Sequence, residues 1–573
     1  MSSRYDLVVV GGGTGGLVSA LIAAGAGARV ALVERDRTGG ECLWTGCVPS
    51  KSLLAAAALA HRIRHADAVG LTPSEPKIDY ARVMDHVRDA IATIQPHDSP
   101  QRLRAAGVEV IPANARFDGP GHIRVDGREL RWRAAIIATG SGPVTPPIPG
   151  LADSEPLTTD TVWDLPRLPR RLVVLGGGPI GCELGQAFAR LGSHVTLVEQ
   201  AERLLVNEEP RAGELIAARL TAEGVDVRLG SQTLDVRSRR DGAHELWLDD
   251  PPAGEAIVFD RILVVTGRGP LTEHLGLDTV GVNVDERGAV IVDPRLRTSA
   301  RGIYAVGDVT GLLPFTHVAA HHARVATPNA LFHARGEISQ TVPWVTFTDP
   351  EVARVGLTES QARERWGKRV IVIESDYQTL DRAITAGEAY GFAKLVADPH
   401  RRLVGATVAA PAGGGGDRRA HRVGRARRED QRGLAHRARL PHVRRGTRAR
   451  RRPAPRCPLF DPPRPRNHPT GARHPAAARA RSMTARLAQA VAFQRRPVDA
   501  PVPSIARLWA HRRPAQAVRS RRNGARGIDH ELDGARDRAQ PRCAASRSTR
   551  RTFTITGPWT MCRIPRPGLA RLR

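Results

Sequence analysis

The sequence predicts an α/β fold that contains two separate β-α-β units, and three observations support this prediction. Short apolar runs typical of buried strands open the two units, at residues 5–10 and 171–175. A glycine-rich turn follows each run, and a helix-like stretch follows each turn. A second apolar run then ends in an acid, at Glu34 in the first unit and Glu199 in the second. This order predicts parallel strands joined by helices in three layers.

The first glycine-rich turn has the spacing of a Rossmann-like dinucleotide site. Gly11, Gly13 and Gly16 fit the pattern G-x-G-x-x-G. Such glycines allow the tight turn, the close approach of a pyrophosphate and close helix packing, while the acid, here Glu34, binds a ribose hydroxyl. The glycine pattern alone is a weak signal, but strand, helix and acid are in register here. We therefore predict a dinucleotide site.

The second unit repeats this arrangement with Gly176, Gly178 and Gly181. Two such units suit two dinucleotides. Glu199 occupies the position that bonds the adenine ribose 2′-hydroxyl, and a carboxylate there would repel the 2′-phosphate of NADP. The sequence thus favours NADH over NADPH.

Two cysteines, Cys42 and Cys47, lie in residues 39–51 (GGECLWTGCVPSK) just after the first unit. Their spacing alone leaves open a partial metal site, a structural disulfide or two unrelated buried thiols. Their position after a dinucleotide unit favours a redox relay. Lys51 supplies a nearby cation that should lower a thiol pKa.

These motifs together resemble the FAD-dependent pyridine nucleotide-disulfide oxidoreductases. The residues that carry the resemblance lie in four further blocks as well as 39–51: residues 138–142, 181–184, 302–308 and 345–359. The likeness covers residues 4 to about 412. It implies two Rossmann-like three-layer domains, one for FAD and one for NAD, and the start of an α+β dimer-interface domain.

The resemblance also implies domain boundaries. A split FAD domain is expected over residues 1–150 and 270–340, with an NAD(P) domain inserted at residues 151–269. Residues 341–412 would form a partial dimerisation domain, and residues 413–573 a disordered tail. The FAD contacts expected from the motifs are Gly11, Gly13, Gly16, Glu34, Lys51, Thr139, Gly140 and Asp308, and those expected for NAD are Gly176, Gly178, Gly181 and Glu199.

The family resemblance assigns roles to four catalytic residues. Hydride would pass from the nicotinamide to the flavin, which would reduce the Cys42–Cys47 disulfide. Cys47 would contact the flavin as a thiolate, and Cys42 would attack the substrate. Lys51 would pair with Glu183, whereas we interpret the neighbouring Cys182 as a small buried side chain.

The excess of positive charge lies entirely in the C-terminal part of the chain. The whole chain has a formal net charge of +28, which by itself points to nucleic acid. Residues 413–573 contain 41 Arg, no Lys and 9 acidic residues, a net charge of +32, which leaves −4 on residues 1–412. This tail lacks periodicity and is interrupted by proline throughout, so we expect no folded domain there.

Three explanations compete for the tail: a disordered extension, a nucleic-acid-binding segment, and translation of a GC-rich gene in the wrong frame. The absence of lysine favours the third, because phosphate binding can use either cation. When the degenerate codons of residues 435–446 are read one base forward, they permit Arg-Thr-Val-His-Ala-Tyr-Pro-Thr-Phe-Ala-Glu. This peptide resembles the family's C-terminal active-site motif, with tyrosine in place of the usual histidine, since the codon that starts inside Leu440 cannot encode histidine.

The sequence leaves the electron acceptor open. The tyrosine favours a mercuric reductase-like acceptor, a disulfide or mercuric ion, whereas Glu41, where the family commonly has threonine, argues against the lipoamide assignment. Dihydrolipoamide dehydrogenase is the first alternative, and a catalytically impaired flavoprotein with a nucleic-acid-binding tail is the second. We expect no resident metal, including at the histidines of residues 316–322. A cytoplasmic homodimer without a membrane span is expected for the intact family, although the interface of this chain as written breaks off near residue 412.

Overall fold

The computed structural model describes residues 4–249, 256–339 and 341–411. These residues all belong to one compact unit, which lies within Met1–Pro497. The predicted disordered tail, residues 413–573, lies outside the described residues.

The N-terminal part of the chain alternates strands and helices before a short antiparallel segment. Its elements are β1 (Tyr5–Val10), α1 (Thr14–Gly25), β2 (Val30–Glu34), α2 (Gly40–Trp44), α3 (Cys47–Arg64), α4 (Tyr80–Ile94), α5 (Pro100–Ala105), β3 (Val108–Pro112), β4 (Ala115–Phe117), β5 (His122–Val125), β6 (Arg128–Ile137) and β7 (Ser141–Pro143).

The remaining elements begin with the second β-α-β unit. They are β8 (Arg171–Leu175), α6 (Pro179–Leu191), β9 (His194–Val198), α7 (Pro210–Ala222), β10 (Asp226–Arg228), β11 (Thr233–Ser238), β12 (His244–Leu248), β13 (Ile257–Phe259), β14 (Arg261–Val264), β15 (Arg268–Pro270), β16 (Ile303–Ala305), α8 (Thr316–Phe332), β17 (Pro343–Thr346), β18 (Glu351–Gly356), α9 (Glu359–Trp366), β19 (Ile371–Asp376), α10 (Asp381–Thr385), β20 (Phe392–Ala397) and β21 (Leu403–Ala410).

The first sheet has the strand order β3-β2-β1-β6-β5-β4, and β16 pairs with β6. Strands β3, β2, β1, β6 and β16 pair in parallel, whereas β4 and β5 pair antiparallel. The central strand β1 is buried on both faces, with Leu7, Val8 and Val9 at 0% exposure, as its unbroken apolar run predicts. Helices α1 and α8 pack together at this sheet.

The second β-α-β unit, which begins at β8, has a parallel sheet in the order β10-β9-β8-β14. An antiparallel sheet of β11, β12 and β13 lies between β10 and β14 in the chain. Strand β15 pairs with β7, so the chain returns to the first unit after the second sheet. The predicted α/β class with Rossmann-like sheets is therefore confirmed. The domain boundaries at residues 150 and 270 stay predictions.

The last sheet is antiparallel, in the order β17-β18-β21-β20-β19. Helix α9 begins with a capping box, in which the Thr358 side chain accepts from the Gln361 amide and the Gln361 side chain accepts from Thr358. This antiparallel sheet with short helices is the predicted α+β interface domain.

One helical stretch among the described residues, Gly40–Arg64, is long and apolar enough to cross a membrane. It meets this criterion by length and composition only, so it does not overturn the expectation of a chain without a membrane span. The stretch is divided between α2 and α3, and α3 packs against α4 and α6. A core helix can pass the same test, so the stretch is weak evidence for a span.

Candidate redox site

The first glycine-rich turn contains two glycines that no other residue could replace without movement of the backbone. Gly11 has φ +103°, and a Cβ there would lie 2.4 Å from the Ala138 carbonyl oxygen. A Cβ on Gly16 would lie 1.8 Å from the Gly11 oxygen. Gly13 differs, because its Cβ would meet no atom nearer than 3.9 Å. The turn is thus packed on its inner side and open at Gly13, where a pyrophosphate needs to approach.

The second turn has the same three properties. Gly176 has φ +111°, and its Cβ would lie 2.7 Å from the Val265 oxygen. A Cβ on Gly181 would lie 1.9 Å from the Gly176 oxygen, whereas Gly178 has nothing within 4 Å. The two units therefore present equivalent turns at the start of α1 and α6, where helix N-termini favour anions.

The two predicted ribose-binding acids are held by their own glycine-rich turns. The Glu34 carboxylate accepts a hydrogen bond from the Gly12 amide. The Glu199 carboxylate accepts one from the Gly177 amide at 2.6 Å. Both acids thus lie at the carboxyl end of a strand next to the open turn, which is the position that a ribose hydroxyl requires.

Two cavities adjoin these turns. One of about 740 Å³ includes Gly11, Glu34 and Thr139 in its lining, and the Thr139 hydroxyl is buried without a hydrogen-bond partner among the described residues. Another of about 1060 Å³ includes Glu199 and Arg268. Cavities of this volume that are lined by a few convergent polar groups suit cofactors. The residues present therefore fit FAD at the first turn and NAD(P)H at the second.

The two cysteines lie at the junction of α2 and α3. Both are free thiols, and Cys42 is partly buried whereas Cys47 is exposed. The Cys47 sulfur lies 3.5 Å from the Thr316 hydroxyl at the start of α8. Helix α8 follows the segment that contains Asp308, so the fold brings the cysteines close to the second predicted FAD motif.

The surroundings of the two thiols shift their pKa values in opposite directions. The pKa of Cys47 is lowered to about 6, chiefly by the hydrogen bond from Cys42, and further by Thr316 and the Lys51 charge. The pKa of Cys42 is raised, first by its hydrogen bond to Cys47 and then by burial. At neutral pH the pair therefore holds one proton, on Cys42, and one negative charge, on Cys47.

Lys51 and Glu183 form the expected ion pair, with Nζ 2.7 Å from Oε2. Glu183 is buried and also accepts a hydrogen bond from the Phe347 amide at 2.8 Å. The Lys51 ammonium lies 4.6 Å from the centre of the Phe347 ring. Residues from α3, α6 and the interface domain thus converge on the cation that faces Cys47.

Asp308 and Arg268 belong to a second polar cluster. Asp308 accepts from the Ser141 hydroxyl at 3.0 Å, and burial raises the pKa of its carboxyl. Arg268 donates to the Ser141 hydroxyl at 3.0 Å, to Thr159 at 3.2 Å and to Glu41 at 2.6 Å. Our sequence analysis missed Arg268. Its position just beyond the carboxyl end of β14 was the one available signal.

The three histidines of α8 each bind a different backbone group. His317 donates to the Pro343 carbonyl, His321 accepts from the Ser339 amide, and His322 accepts from the Gly307 amide. Burial lowers the pKa of His322 to about 4, so this ring is neutral. The three rings have separate structural roles.

One group of metal-ligand type lies elsewhere in the described chain: His61, Glu223 and Asp349, with candidate atoms within 4.8 Å of one another. The Arg190 guanidinium lies 2.6 Å from Glu223 and 2.8 Å from Asp349. Burial, together with the nearby Arg190 charge, lowers the pKa of His61 to about 4. Arg219 also lies 2.8 Å from Glu223 and 3.6 Å from Asp349, so two cations balance the two carboxylates and we interpret the group as an ion-pair network.

Cys182 is fully buried in α6, and its thiol donates to the Gly177 carbonyl at 3.4 Å. Burial raises its thiol pKa. It therefore remains a protonated packing group, as the sequence indicated.

Two glycine-rich dinucleotide turns with a cysteine pair between them define a class of flavin-dependent oxidoreductases. The chain matches the family model "Pyridine nucleotide-disulphide oxidoreductase" over residues 5–323 and the dimerisation domain of that family over residues 342–416. It belongs to the pyridine nucleotide-disulphide oxidoreductase family. Members are FAD flavoproteins that use NAD(P)H and carry a redox-active disulfide and a dimerisation domain.

Curated relatives with different activities are about equally similar to the chain. A dihydrolipoyl dehydrogenase of Thermus scotoductus is 39% identical over 420 residues, which cover 72% of this chain and 88% of the relative. A mercuric reductase of Bacillus cereus is 35% identical, with 71% of this chain and 64% of the relative covered. A glutathione reductase of Burkholderia cepacia is 36% identical, with 70% and 89% covered.

The solved structures agree with the family assignment. The HOCl-induced flavoprotein disulfide reductase RclA of Escherichia coli superposes with a TM-score of 0.63 at 30% identity, over 71% of this chain and 90% of that one. A cysteine-to-serine variant of the same protein in a Cu(II) complex gives a TM-score of 0.66 at 29% identity, over 74% and 93%.

Proposed function

We propose that this protein passes electrons from NAD(P)H through FAD to a Cys42–Cys47 disulfide, and from there to a disulfide or a mercuric ion. The observation that carries the proposal is the division of acidity between the two thiols. Cys47 has its pKa lowered to about 6, whereas that of Cys42 is raised. A relay needs one sulfur that tolerates negative charge and one that keeps its proton.

The chain's own residues supply the positions that FAD requires. The turn at Gly11 and Gly13 would receive the pyrophosphate, and Glu34 the adenosine ribose. Asp308 and the unpartnered Thr139 hydroxyl would bind polar groups further along the cofactor. When bound, FAD supplies a two-electron carrier between the nicotinamide and the disulfide.

The thiols divide the work after reduction. Two electrons and one proton convert the disulfide into a Cys47 thiolate and a Cys42 thiol. Lys51, fixed by Glu183, stabilises the thiolate on Cys47. Cys42 holds the proton at rest and releases it when its sulfur attacks a substrate disulfide or binds mercuric ion, because the thiolate is the reactive form.

We propose NADH as the preferred coenzyme. The Glu199 carboxylate projects beside the second turn, where it would bond the ribose 2′-hydroxyl and repel a 2′-phosphate. Residues 176–178 and Glu199 line the same cavity. Dihydrolipoyl dehydrogenase activity remains the alternative, and the 39% identity to one such enzyme favours it.

The mercuric reductase-like proposal depends on the shifted reading frame. In that frame the position that follows His-Ala is tyrosine, so the histidine that would serve as acid and base for lipoamide or glutathione is absent.

A homodimer is proposed for the chain with this frame restored. The nucleic-acid alternative depends on residues outside the described chain, and salt-sensitive retention on DNA would support it.

The test compares three cysteine variants of the FAD-loaded protein. Cys42→Ser and Cys47→Ser should abolish NADH oxidation that depends on mercuric ion, lipoamide or oxidised glutathione, while FAD stays bound. Cys182→Ala is the matched control and should keep the wild-type rate, because Cys182 lies buried in α6. Full activity in both serine variants would refute the proposed relay, and the acceptor with the highest wild-type kcat/KM would identify the substrate class.

A further inference from the structure

The residues between the two cysteines, 43–46, form a loop that a distant part of the chain contacts. We call these residues the cysteine loop, and residues 157–163 the anchor segment. The indole Nε1 of Trp163 donates to the Thr45 carbonyl at 2.8 Å and to the Thr159 carbonyl at 2.7 Å. The indole therefore joins the cysteine loop to a part of the chain that lies 118 positions away.

The Thr45 carbonyl depends on a side-chain donor because of the sequence that follows it. In an α-helix each carbonyl accepts from the amide four residues later. The Gly46 carbonyl accepts in this way from the Ser50 amide at 3.1 Å. The residue four positions after Thr45 is Pro49, which has no N–H. The helical pattern thus cannot extend to the Thr45 oxygen, and Trp163 supplies the donor.

The anchor segment is itself fixed to the parallel sheet of the second unit. Leu157 forms a parallel bridge with Leu263 of β14. Its amide donates to the Ile262 carbonyl and its carbonyl accepts from the Val264 amide, both at 2.8 Å. The Trp163 ring packs against a buried core cluster that also contains residues of α3. The indole donor is therefore held in place from two sides.

Further contacts tie the anchor segment to both sides of the first cysteine. The Thr45 hydroxyl donates to the Asp160 carboxylate at 3.2 Å. Arg268 donates to the Thr159 hydroxyl at 3.2 Å and to the Glu41 carboxylate at 2.6 Å. Glu41 directly precedes the first cysteine in the chain. The anchor segment thus contacts the cysteine loop directly, and it reaches Glu41 through Arg268.

The two sulfurs are already close together in the dithiol form. Cys42 and Cys47 are free thiols that share a hydrogen bond. When an S–S bond forms, thiols in a flexible loop lose conformational freedom, whereas thiols that the fold already holds together lose less. Contacts that fix the loop therefore raise the effective concentration of one thiol toward the other.

We propose that the anchor segment, chiefly through the Trp163 indole, positions the cysteine loop so that the Cys42–Cys47 disulfide is favoured over the dithiol. Trp163 is then a positioning residue for the redox pair. The inference rests on the proposed function of the two cysteines. Loss of the indole bond should give the dithiol form more new freedom than the cross-linked form, and so shift the equilibrium toward the dithiol.

Phenylalanine at position 163 separates this role from a packing role. Trp163→Phe keeps an aromatic ring but removes the N–H. Trp247→Phe is the matched control, because Trp247 is also partly buried and its Nε1 has no hydrogen-bond partner among the described residues. A packing role alone would lower the thermal unfolding midpoint and leave the thiol–disulfide equilibrium unchanged.

The experiment equilibrates the FAD-loaded proteins anaerobically with mixtures of reduced and oxidised dithiothreitol. In the exchange, the protein disulfide and reduced dithiothreitol convert into two protein thiols and oxidised dithiothreitol. Alkylation after an acid quench, followed by mass spectrometry of the peptide that contains residues 39–51, gives the equilibrium constant. The constant in favour of the protein disulfide should fall by about two- to tenfold in Trp163→Phe, the range for loss of one hydrogen bond. Trp247→Phe should keep the wild-type constant.

The outcomes that overturn the inference differ from failure of the proposed function. Equal constants in the wild type and Trp163→Phe, with the disulfide formed in both, refute the role of Trp163 alone. A wild type that forms no disulfide in any mixture refutes the relay itself. If Trp163→Phe loses FAD, Thr45→Val decides, because it removes the hydroxyl bond to Asp160 that Thr45→Ser keeps. The constant should be lower in Thr45→Val than in Thr45→Ser, and equal constants refute the inference.

Discussion

The Lys51 ammonium lies 2.7 Å from the Glu183 carboxylate, although the two residues are 132 positions apart in the chain. This contact holds the cation one helical turn after Cys47, where its charge lowers the pKa of the Cys47 thiol. Glu183 acts in the opposite direction on that pKa. Glu183 therefore fixes the position of Lys51, and the charge of Lys51 lowers the pKa of the Cys47 thiol.

Lys51→Gln should raise the pKa of Cys47 by about one unit, the lower end of the range for loss of a nearby opposite charge. The pH dependence of Cys47 alkylation in the reduced protein measures this shift. Lys51→Arg keeps the charge and serves as the control, with a midpoint close to that of the wild type. An unchanged midpoint in Lys51→Gln would show that the Lys51 charge does not contribute to the acidity of Cys47.

His322 should make the protein less stable in acid. Its Nδ1 accepts from the Gly307 amide, and burial lowers its pKa to about 4 from 6.5, so the folded state prefers the neutral ring. The contribution of the neutral His322 ring to the free energy of unfolding is complete above the pKa of the unfolded state. It is lost as the pH falls toward the pKa of the folded state. Between pH 7 and pH 5 the loss should be about 2 kcal/mol.

Urea unfolding at pH 7 and pH 5 tests that prediction. His322→Gln keeps an acceptor for the Gly307 amide but has no titrating ring, so its free energy of unfolding should fall less between the two pH values. The exposed His86→Gln is the control and should show the wild-type loss. The same pH dependence in all three proteins would contradict the assignment to His322.

Glu199 and Glu34 occupy equivalent positions in the two units, which permits a matched test of coenzyme choice. Glu199→Gln should lower kcat/KM for NADH and raise it for NADPH, because the repulsive charge is removed. Glu34→Gln should weaken FAD retention and leave the NADH-to-NADPH ratio of kcat/KM unchanged. A constant ratio in Glu199→Gln would contradict the proposed role of that carboxylate.

The shifted frame is testable without the protein. The family match to the dimerisation domain ends at residue 416, close to where the arginine-rich segment begins. We predict that resequencing across the codons for residues 404–446 finds a one-base change that restores the Tyr-Pro-Thr reading. The corrected chain should form a homodimer in analytical ultracentrifugation. An unchanged frame would identify this chain as a truncated relative.

Local sequence patterns predicted the first strands of the two β-α-β units correctly. The apolar runs at residues 5–10 and 171–175 coincide with β1 and β8, since buried parallel strands are uniformly apolar. The predicted helix after the first turn is α1, and it begins at Thr14 because Gly15 and Gly16 of the turn already belong to the first helical turn.

The contacts that the sequence could not predict join distant segments. Glu41 and Arg268 are 227 positions apart, and Cys47 and Thr316 are 269 apart. Neither Arg268 nor Thr316 belongs to a spacing pattern that marks its role, and their approach depends on how β15 and α8 return to the first unit. Lys51 and Glu183 were predicted because family resemblance, rather than periodicity, relates them.

The central claim is that electrons from NADH open a Cys42–Cys47 disulfide. Differential alkylation of the FAD-loaded protein, before and after one equivalent of NADH under anaerobic conditions, tests it when the peptide that contains residues 39–51 is analysed by mass spectrometry. The account predicts that both cysteines resist alkylation in the oxidised protein and that both react after denaturation of the reduced one. Labelling that is the same with and without NADH would contradict it.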